Sequence, residues 1–213
     1  IEMKSKNFFS VSTDKSSNPV NLMGASKKIM ELFLLKNSEN IKTTMSRFAN
    51  VAFSDGSLLH GFINRMEKKQ PLSAPYDVER YFISSSESGE LCMLSCLLGN
   101  NRDIFYPKTS SKLKLLSIKE ITIKFLNSKG YDAYLCKSED EARKKIDLIN
   151  KGVWPCYFFK SDTTGEKPYE EFYTQDENIN QDRFINIGVI KNNLYFNNNL
   201  NVFLDKINEM KLN

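Results

Sequence analysis

The apolar run Phe8-Phe-Ser-Val11 stops at a polar turn, Ser12-Thr-Asp-Lys-Ser-Ser-Asn-Pro19, and a helix-like stretch follows from Met23 to Lys36. A short apolar run closed by turn formers reads as a buried strand over residues 7–12. Ile29, Leu32 and Phe33 share one face of a 3.6-residue helix. A strand that ends in a turn and passes into a helix is the unit of open α/β sheets, whose ligands sit outside the carboxyl ends of the strands. Ser12, Thr13, Asp14 and Lys15 occupy that place, and Lys27 follows Met23 by one helical turn. Hydroxyls, a carboxylate and two amines therefore gather where such a fold does its chemistry.

The same alternation runs on. Residues 43–52 are strand-like, residues 58–69 form a helix closed by Pro71, and residues 72–73 and 79–83 read as short strands. Residues 86–98 carry Leu91, Leu94 and Leu98 at helical spacing before Gly99, and residues 103–106 form a short strand. Ser117-Ile-Lys-Glu120 and Ser138-Glu-Asp-Glu141 fit the capping-box pattern and open helices running to about Lys129 and Lys151. Strand candidates over 132–137 and 154–159 flank the second. Alternating strands and helices predict an α/β class with parallel pairing. Beyond Lys160 the signal weakens: residues 162–168 read as a loop, residues 192–201 are Asn-rich and turn-prone, and a last helix is expected over about 201–211. No internal repeat is visible.

Composition narrows the function. Thirty Lys and Arg face 26 Asp and Glu, a net charge of +4, and the charges interleave as in Glu139-Asp-Glu-Ala-Arg-Lys-Lys145. That is a solvated helix face rather than a phosphate-binding stripe, so nucleic acid is not expected as a partner. Hydrophobic residues make up 40% and aromatics 12%, enough for a packed core. Cys92, Cys96, Cys136 and Cys156 form no C-x-x-C pair and are expected as buried free thiols. With His60 the only histidine, no metal site is expected. No apolar run approaches the roughly 18 residues of a membrane span.

Three blocks carry a resemblance. Ser12-Thr-Asp-Lys15, then Asn18-Pro19, then Met23-Gly-Ala-Ser-Lys27 resembles the active-site segment of the nucleotide-sugar 4,6-dehydratases. These are extended short-chain dehydrogenase/reductases that make UDP-4-keto-6-deoxy-N-acetylhexosamines for bacterial surface polysaccharides. Arg47-Phe-Ala-Asn-Val51 with Asp55-Gly-Ser57 resembles that family's substrate-binding Arg-x-x-Asn-Val and Gly-Ser elements. Arg80-Tyr-Phe82 before Glu87 resembles its uridine-diphosphate-contacting Arg and the following helix. The blocks stand in order over residues 8–98; beyond about Gly99 the chain is similar to longer polysaccharide-biosynthesis members.

The resemblance implies a Rossmann-type doubly wound parallel sheet plus a smaller substrate-binding α/β lobe. Residues 1–106 would be the catalytic half with interleaved nucleotide-sugar-binding elements, and residues 107–213 a carboxyl-terminal α/β extension. It gives catalytic roles to Thr13, Asp14 and Lys15, with Asp14 the acid for the C6 hydroxyl and Lys15 the base for C5. It assigns Ser12, Met23, Lys27 and Val51 to the cofactor, NAD or NADP, and Asn50, Ser57, Leu58 and Arg80 to a UDP-sugar; Arg65 and Glu87 are weaker candidates. Met23 stands where the wider superfamily has a tyrosine base, so Thr13, Asp14 and Lys15 would also have to remove the C4 hydroxyl proton. For Lys15 to act as a base its pKa must be lowered, by burial or by a cation such as Lys27.

No G-x-G-x-x-G or G-x-x-G-x-x-G occurs. The pyrophosphate clamp is therefore expected upstream of Ile1, and the chain reads as the carboxyl-terminal part of a longer cytoplasmic, homo-oligomeric enzyme, inactive on its own. A nucleotide-sugar epimerase, or a noncatalytic UDP-sugar-binding or assembly module, are the alternatives. Taken without the resemblance, Asp14-Lys15 is an exposed turn, Asp55-Gly-Ser57 a helix cap and Arg80 a surface ion pair.

Overall fold

A computed structural model of the chain describes residues 5–109, 113–163, 165–192 and 199–211. Residues 1–4 and most of the Asn-rich stretch, residues 193–198, lie outside the described residues. In chain order the elements are β1 (Asn7–Thr13), α1 (Leu22–Lys36), β2 (Lys42–Phe48), β3 (Asn50–Val51), α2 (Leu58–Glu67), β4 (Leu72–Pro75), β5 (Glu79–Arg80), β6 (Phe82–Ile83) and α3 (Ser85–Leu98). Then follow β7 (Asp103–Pro107), β8 (Leu116–Ser117), α4 (Ile118–Ser128), β9 (Asp132–Cys136), α5 (Glu139–Lys144), β10 (Val153–Phe159), β11 (Asn178–Asn180), β12 (Ile187–Lys191) and α6 (Asn199–Lys211).

The chain divides into two units: residues 1–48, 89–108 and 171–213 form one, residues 49–88 and 109–170 the other. A crossing falls at 108/109, near the boundary expected at 106/107, but residues 49–88 belong to the second unit and residues 171–213 to the first.

The first unit holds a sheet in the order β1-β2-β7-β12-β11. β1, β2 and β7 are parallel, with β1 in register on β2 from Asn7 opposite Lys42 to Thr13 opposite Phe48. β2 is buried at every residue from Thr43 on, as a strand covered on both faces must be. Met45, Ile104, Phe105, Val189 and Ile190 form its core. β12 and β11 add an antiparallel edge to the expected parallel sheet. Antiparallel pairing needs no crossover helix, and the described residues between β10 and β11 contain none. Buried Asp103 ties the edges of β7 and β12 together, accepting from Lys191 Nζ at 2.9 Å and Arg183 Nη1 at 2.7 Å.

In the second unit a parallel sheet, β4-β10-β9, packs with α2 and α4. Leu59 and Phe62 from α2, Phe125 and Leu126 from α4, and Trp154 and Cys156 from β10 fill its core. The Trp154 indole N–H reaches Gln70 O at 3.0 Å, so the buried ring leaves no donor unpaired. β3 pairs with β6 in parallel and β5 with β8 antiparallel. The helix expected to about Lys151 is α5 followed by a 3-10 turn that ends at Gly152 in the left-handed region (φ 78°).

All four cysteines are free; Cys136 and Cys156 are buried as expected, whereas Cys92 and Cys96 are only half-buried. No helix among the described residues is long and apolar enough to cross a membrane.

Candidate active site

β1 delivers Ser12 and Thr13 to its carboxyl end, where residues 14–16 turn in a single 3-10 helix. Thr13 caps that turn, and α1 starts six residues later with Asn21 as its cap, Oδ1 accepting from Gly24 N at 2.9 Å. Gly24 lets the two elements meet: a Cβ there would stand 2.7 Å from Lys15 O. The glycine of the motif is thus a packing requirement of the turn before α1.

Within the turn Asp14 is 1% exposed. Its Oδ1 accepts from Thr13 Oγ1 at 2.8 Å, Lys15 N at 2.9 Å and Lys15 Nζ at 3.1 Å. Its Oδ2 is buried and has no hydrogen-bond partner among the described residues. Such an oxygen costs roughly 1–3 kcal/mol when nothing meets it. The exposed turn read from the residues alone is therefore not what forms: carboxylate and amine are in contact, one oxygen bonded and one held open.

Beneath this turn lies a charge cluster the sequence did not reveal. Glu31 of α1, 1% exposed, accepts through Oε1 from Ser12 Oγ at 2.5 Å, Ser16 Oγ at 2.6 Å and Arg47 Nε at 2.9 Å. Its Oε2 takes Arg47 Nη2 at 2.8 Å. Arg47, fully buried in β2, also donates to Glu177 Oε1 at 2.7 Å, Glu177 Oε2 at 2.8 Å and Phe172 O at 2.8 Å. Burial alone would raise the Glu31 and Glu177 carboxyls; hydrogen bonds and charge from Arg47 outweigh it and hold both below the usual carboxylate range. Arg47, matched to a substrate-binding position by resemblance, is an interior residue here. The buried stripe of α1 is Gly24, Glu31 and Leu35, while Phe33, expected on the apolar face, is exposed. A carboxylate pointing inward is what the buried guanidinium requires.

Of the residues assigned to the cofactor, Ser12 is buried with its hydroxyl on Glu31. Met23 is 50% exposed. Lys27 is half-buried, and its ammonium makes no hydrogen bond or ion pair among the described residues. Val51, half-buried in β3, pairs with Ile83.

Of the residues assigned to the sugar nucleotide, all in the second unit, Asn50 donates through Nδ2 to Tyr81 O at 3.1 Å, and its side-chain oxygen has no partner among the described residues. Ser57 caps α2, its hydroxyl accepting from His60 N at 3.3 Å, and Leu58 opens the helix, so the cap reading holds. Arg80 is buried rather than a surface residue, and its fork is occupied. Nη1 donates to Glu79 O, Lys167 O and Pro168 O at 2.8, 3.0 and 3.2 Å, and Nη2 to Glu166 Oε1 at 3.0 Å.

Residues 1–192 match the family described as polysaccharide biosynthesis protein. The capsular polysaccharide biosynthesis protein CapD of Staphylococcus aureus is 29% identical over 174 residues, which are 80% of this chain and 25% of CapD. A UDP-glucose 4-epimerase of Rickettsia bellii is 32% identical over 114 residues, 50% of this chain and 33% of the epimerase. Among solved structures, Pen from Bacillus thuringiensis superposes with a TM-score of 0.69 at 19% identity, covering 92% of this chain and 55% of Pen. A double mutant of DesIV, the dTDP-glucose 4,6-dehydratase of Streptomyces venezuelae, with NAD bound, gives 0.57 at 15% identity over 80% of this chain and 52% of DesIV. The chain spans about half the length of these solved structures and a quarter to a half of its curated relatives.

Proposed function

The chain belongs to the polysaccharide biosynthesis protein family, with the Rossmann-type α/β fold of the extended short-chain dehydrogenase/reductases, and on that premise we propose that it supplies the proton chemistry of a UDP-N-acetylhexosamine 4,6-dehydratase. One observation carries the reading: a buried carboxylate and an amine 3.1 Å apart, with the second carboxylate oxygen unbonded, at the end of a parallel strand. Dehydration across C5 and C6 needs a base for one proton and an acid for the departing hydroxyl, within reach of adjacent carbons. In this reading the pair reacts as a neutral amine on Lys15 and a protonated Asp14. Lys15 Nζ takes the C5 proton of the 4-keto sugar, the C5–H electrons form the C5–C6 double bond, and Asp14 gives its proton to the C6 hydroxyl, which leaves as water. Asp14 ends as carboxylate and Lys15 as ammonium; Lys15 then returns its proton to C5 of the product, and the C4 hydroxyl proton of the next sugar, passed to Asp14, resets the pair.

NAD(P) supplies the hydride transfers at C4 and C6 when bound. The free, half-buried Lys27 amine suits a ribose hydroxyl, so Lys27 with Met23 would border the cofactor, while Ser12 serves through the turn. Met23 cannot take a proton, which leaves the C4 hydroxyl proton to the Thr13–Asp14–Lys15 group. Asn50, Ser57 and Leu58 would hold the UDP portion, with Arg80 gripping the diphosphate once Glu166 is displaced. We place this activity in the cytoplasm and in a homo-oligomer.

The match to a UDP-glucose 4-epimerase favours a second reading, inversion at C4. An epimerase has no use for an acid aimed at C6, and the Asp14–Lys15 contact argues for dehydration. The complete gene product, incubated with UDP-N-acetylglucosamine and NAD+, should yield the 4-keto-6-deoxy sugar and its hydrate. Formation of the C4 epimer instead would select the second reading.

A further inference from the structure

Ser12 and Ser16 stand on either side of Thr13–Lys15, and both hydroxyls meet the same oxygen, Glu31 Oε1, at 2.5 and 2.6 Å. A single atom on α1 therefore holds both ends of the turn. Ser16 Oγ also lies 2.7 Å from Thr13 O. A hydroxyl has one proton to give, and a bond to an ionised acceptor is about twice as strong as one to a neutral carbonyl, so it goes to Glu31. Arg47 keeps that acceptor ionised, and Glu177 and Lys28 complete the cluster, Lys28 Nζ lying 3.3 Å from Glu177 and 3.7 Å from Glu31.

Stability alone does not account for such a cluster. Buried ion groups are often replaceable by apolar residues at no loss. What apolar residues cannot do is pin two hydroxyls four positions apart in the chain. We propose that Glu31 is the positioning residue of the acid–base pair: its carboxylate clamps Ser12 and Ser16 and so sets where Asp14 Oδ2 and Lys15 Nζ point. Its catalytic consequence rests on the dehydratase reading; the clamp itself does not.

Misplacing a reacting group by about 1 Å costs roughly a hundredfold in rate. In the complete protein, Glu31→Gln should lower kcat about a hundredfold, and Ser16→Ala about tenfold, with KM for UDP-N-acetylglucosamine changed less than about twofold. The double variant should be no worse than Glu31→Gln, because both substitutions act through one clamp. Amide exchange at Lys15 and Ser17, bonded to Asp14 Oδ1 and Asp14 O, should speed up in each variant while β12 stays protected. A merely structural Glu31 would lower the melting temperature and leave kcat alone. Unchanged kcat with unchanged exchange in Ser16→Ala overturns the proposal, as do additive losses in the double variant. If Glu31→Gln does not fold, Ser16→Ala decides. If the unmodified protein shows no dehydration, the dehydratase reading falls, and the exchange rates alone uphold or overturn the clamp.

Discussion

Asp14 and Arg80 are both buried charges to which the resemblance gives a part in the same chemistry, yet their surroundings are opposite. Around Asp14 every donor falls on one oxygen, and the other is left open among the described residues. Around Arg80 both terminal nitrogens are engaged: three carbonyls share Nη1 and Glu166 takes Nη2. A proton-transfer group must be held by bonds that do not touch its working atom. A cation meant for an anion can instead be kept by a weaker counter-charge that a stronger one displaces, and a diphosphate outbids a single carboxylate by Coulomb attraction and bidentate geometry. The first arrangement favours rigidity, the second exchange.

That contrast breaks hardest at Glu31. Glu31→Ala leaves Arg47, which has no exposure at all, with Glu177 as its one carboxylate partner among the described residues. Removing one member of a buried pair costs about 3–5 kcal/mol, which urea unfolding should register; a loss below about 1 kcal/mol would mean the turn is held by something else.

Acid sharpens the same point. Glu31 and Glu177 titrate lower in the folded chain than in the unfolded one, so the unfolded chain takes up protons first as pH falls. Their contribution is full above the unfolded carboxyl pKa of about 4.3 and is lost as pH drops through the depressed folded values. Urea midpoints should therefore hold from pH 7 to about 5 and then fall. A midpoint flat to pH 3 would contradict the assigned cluster.

The smallest effect belongs to Arg80. Glu166→Gln removes the counter-charge and should tighten UDP-N-acetylglucosamine binding about three- to tenfold, up to roughly 1.4 kcal/mol. Unchanged or weaker binding by calorimetry would make Arg80 a brace for the 166–168 segment instead of a grip on the diphosphate.

The strand, turn and helix of residues 7–36 were legible because local signals agree: an apolar run, a Pro-containing turn and apolar residues at helical spacing. Ser57 and Ser138 read correctly as caps for the same reason. Glu31 was not legible, since a lone carboxylate between Met30 and Leu32 looks solvated in one dimension. Its spacing of seven from Gly24 and four from Leu35 was the available hint, placing it on the face that packs against β1 and β2. Glu177 was out of reach, because its partner Arg47 lies 130 residues away. β12 escaped notice as a five-residue run after a loop, paired with the three-residue β11 on one side and over long range with β7 on the other. Arg47 shows the limit of motif matching: the residue type matched, but its side chain points into the interior.

Steady-state kinetics of Asp14→Asn and Lys15→Ala in the complete protein test most directly the role proposed for Asp14 and Lys15 as the proton-transfer pair. Each should lower kcat for loss of water from UDP-N-acetylglucosamine by about a hundredfold or more, with KM nearly unchanged. Turnover within about twofold of the unmodified protein in both variants would contradict it.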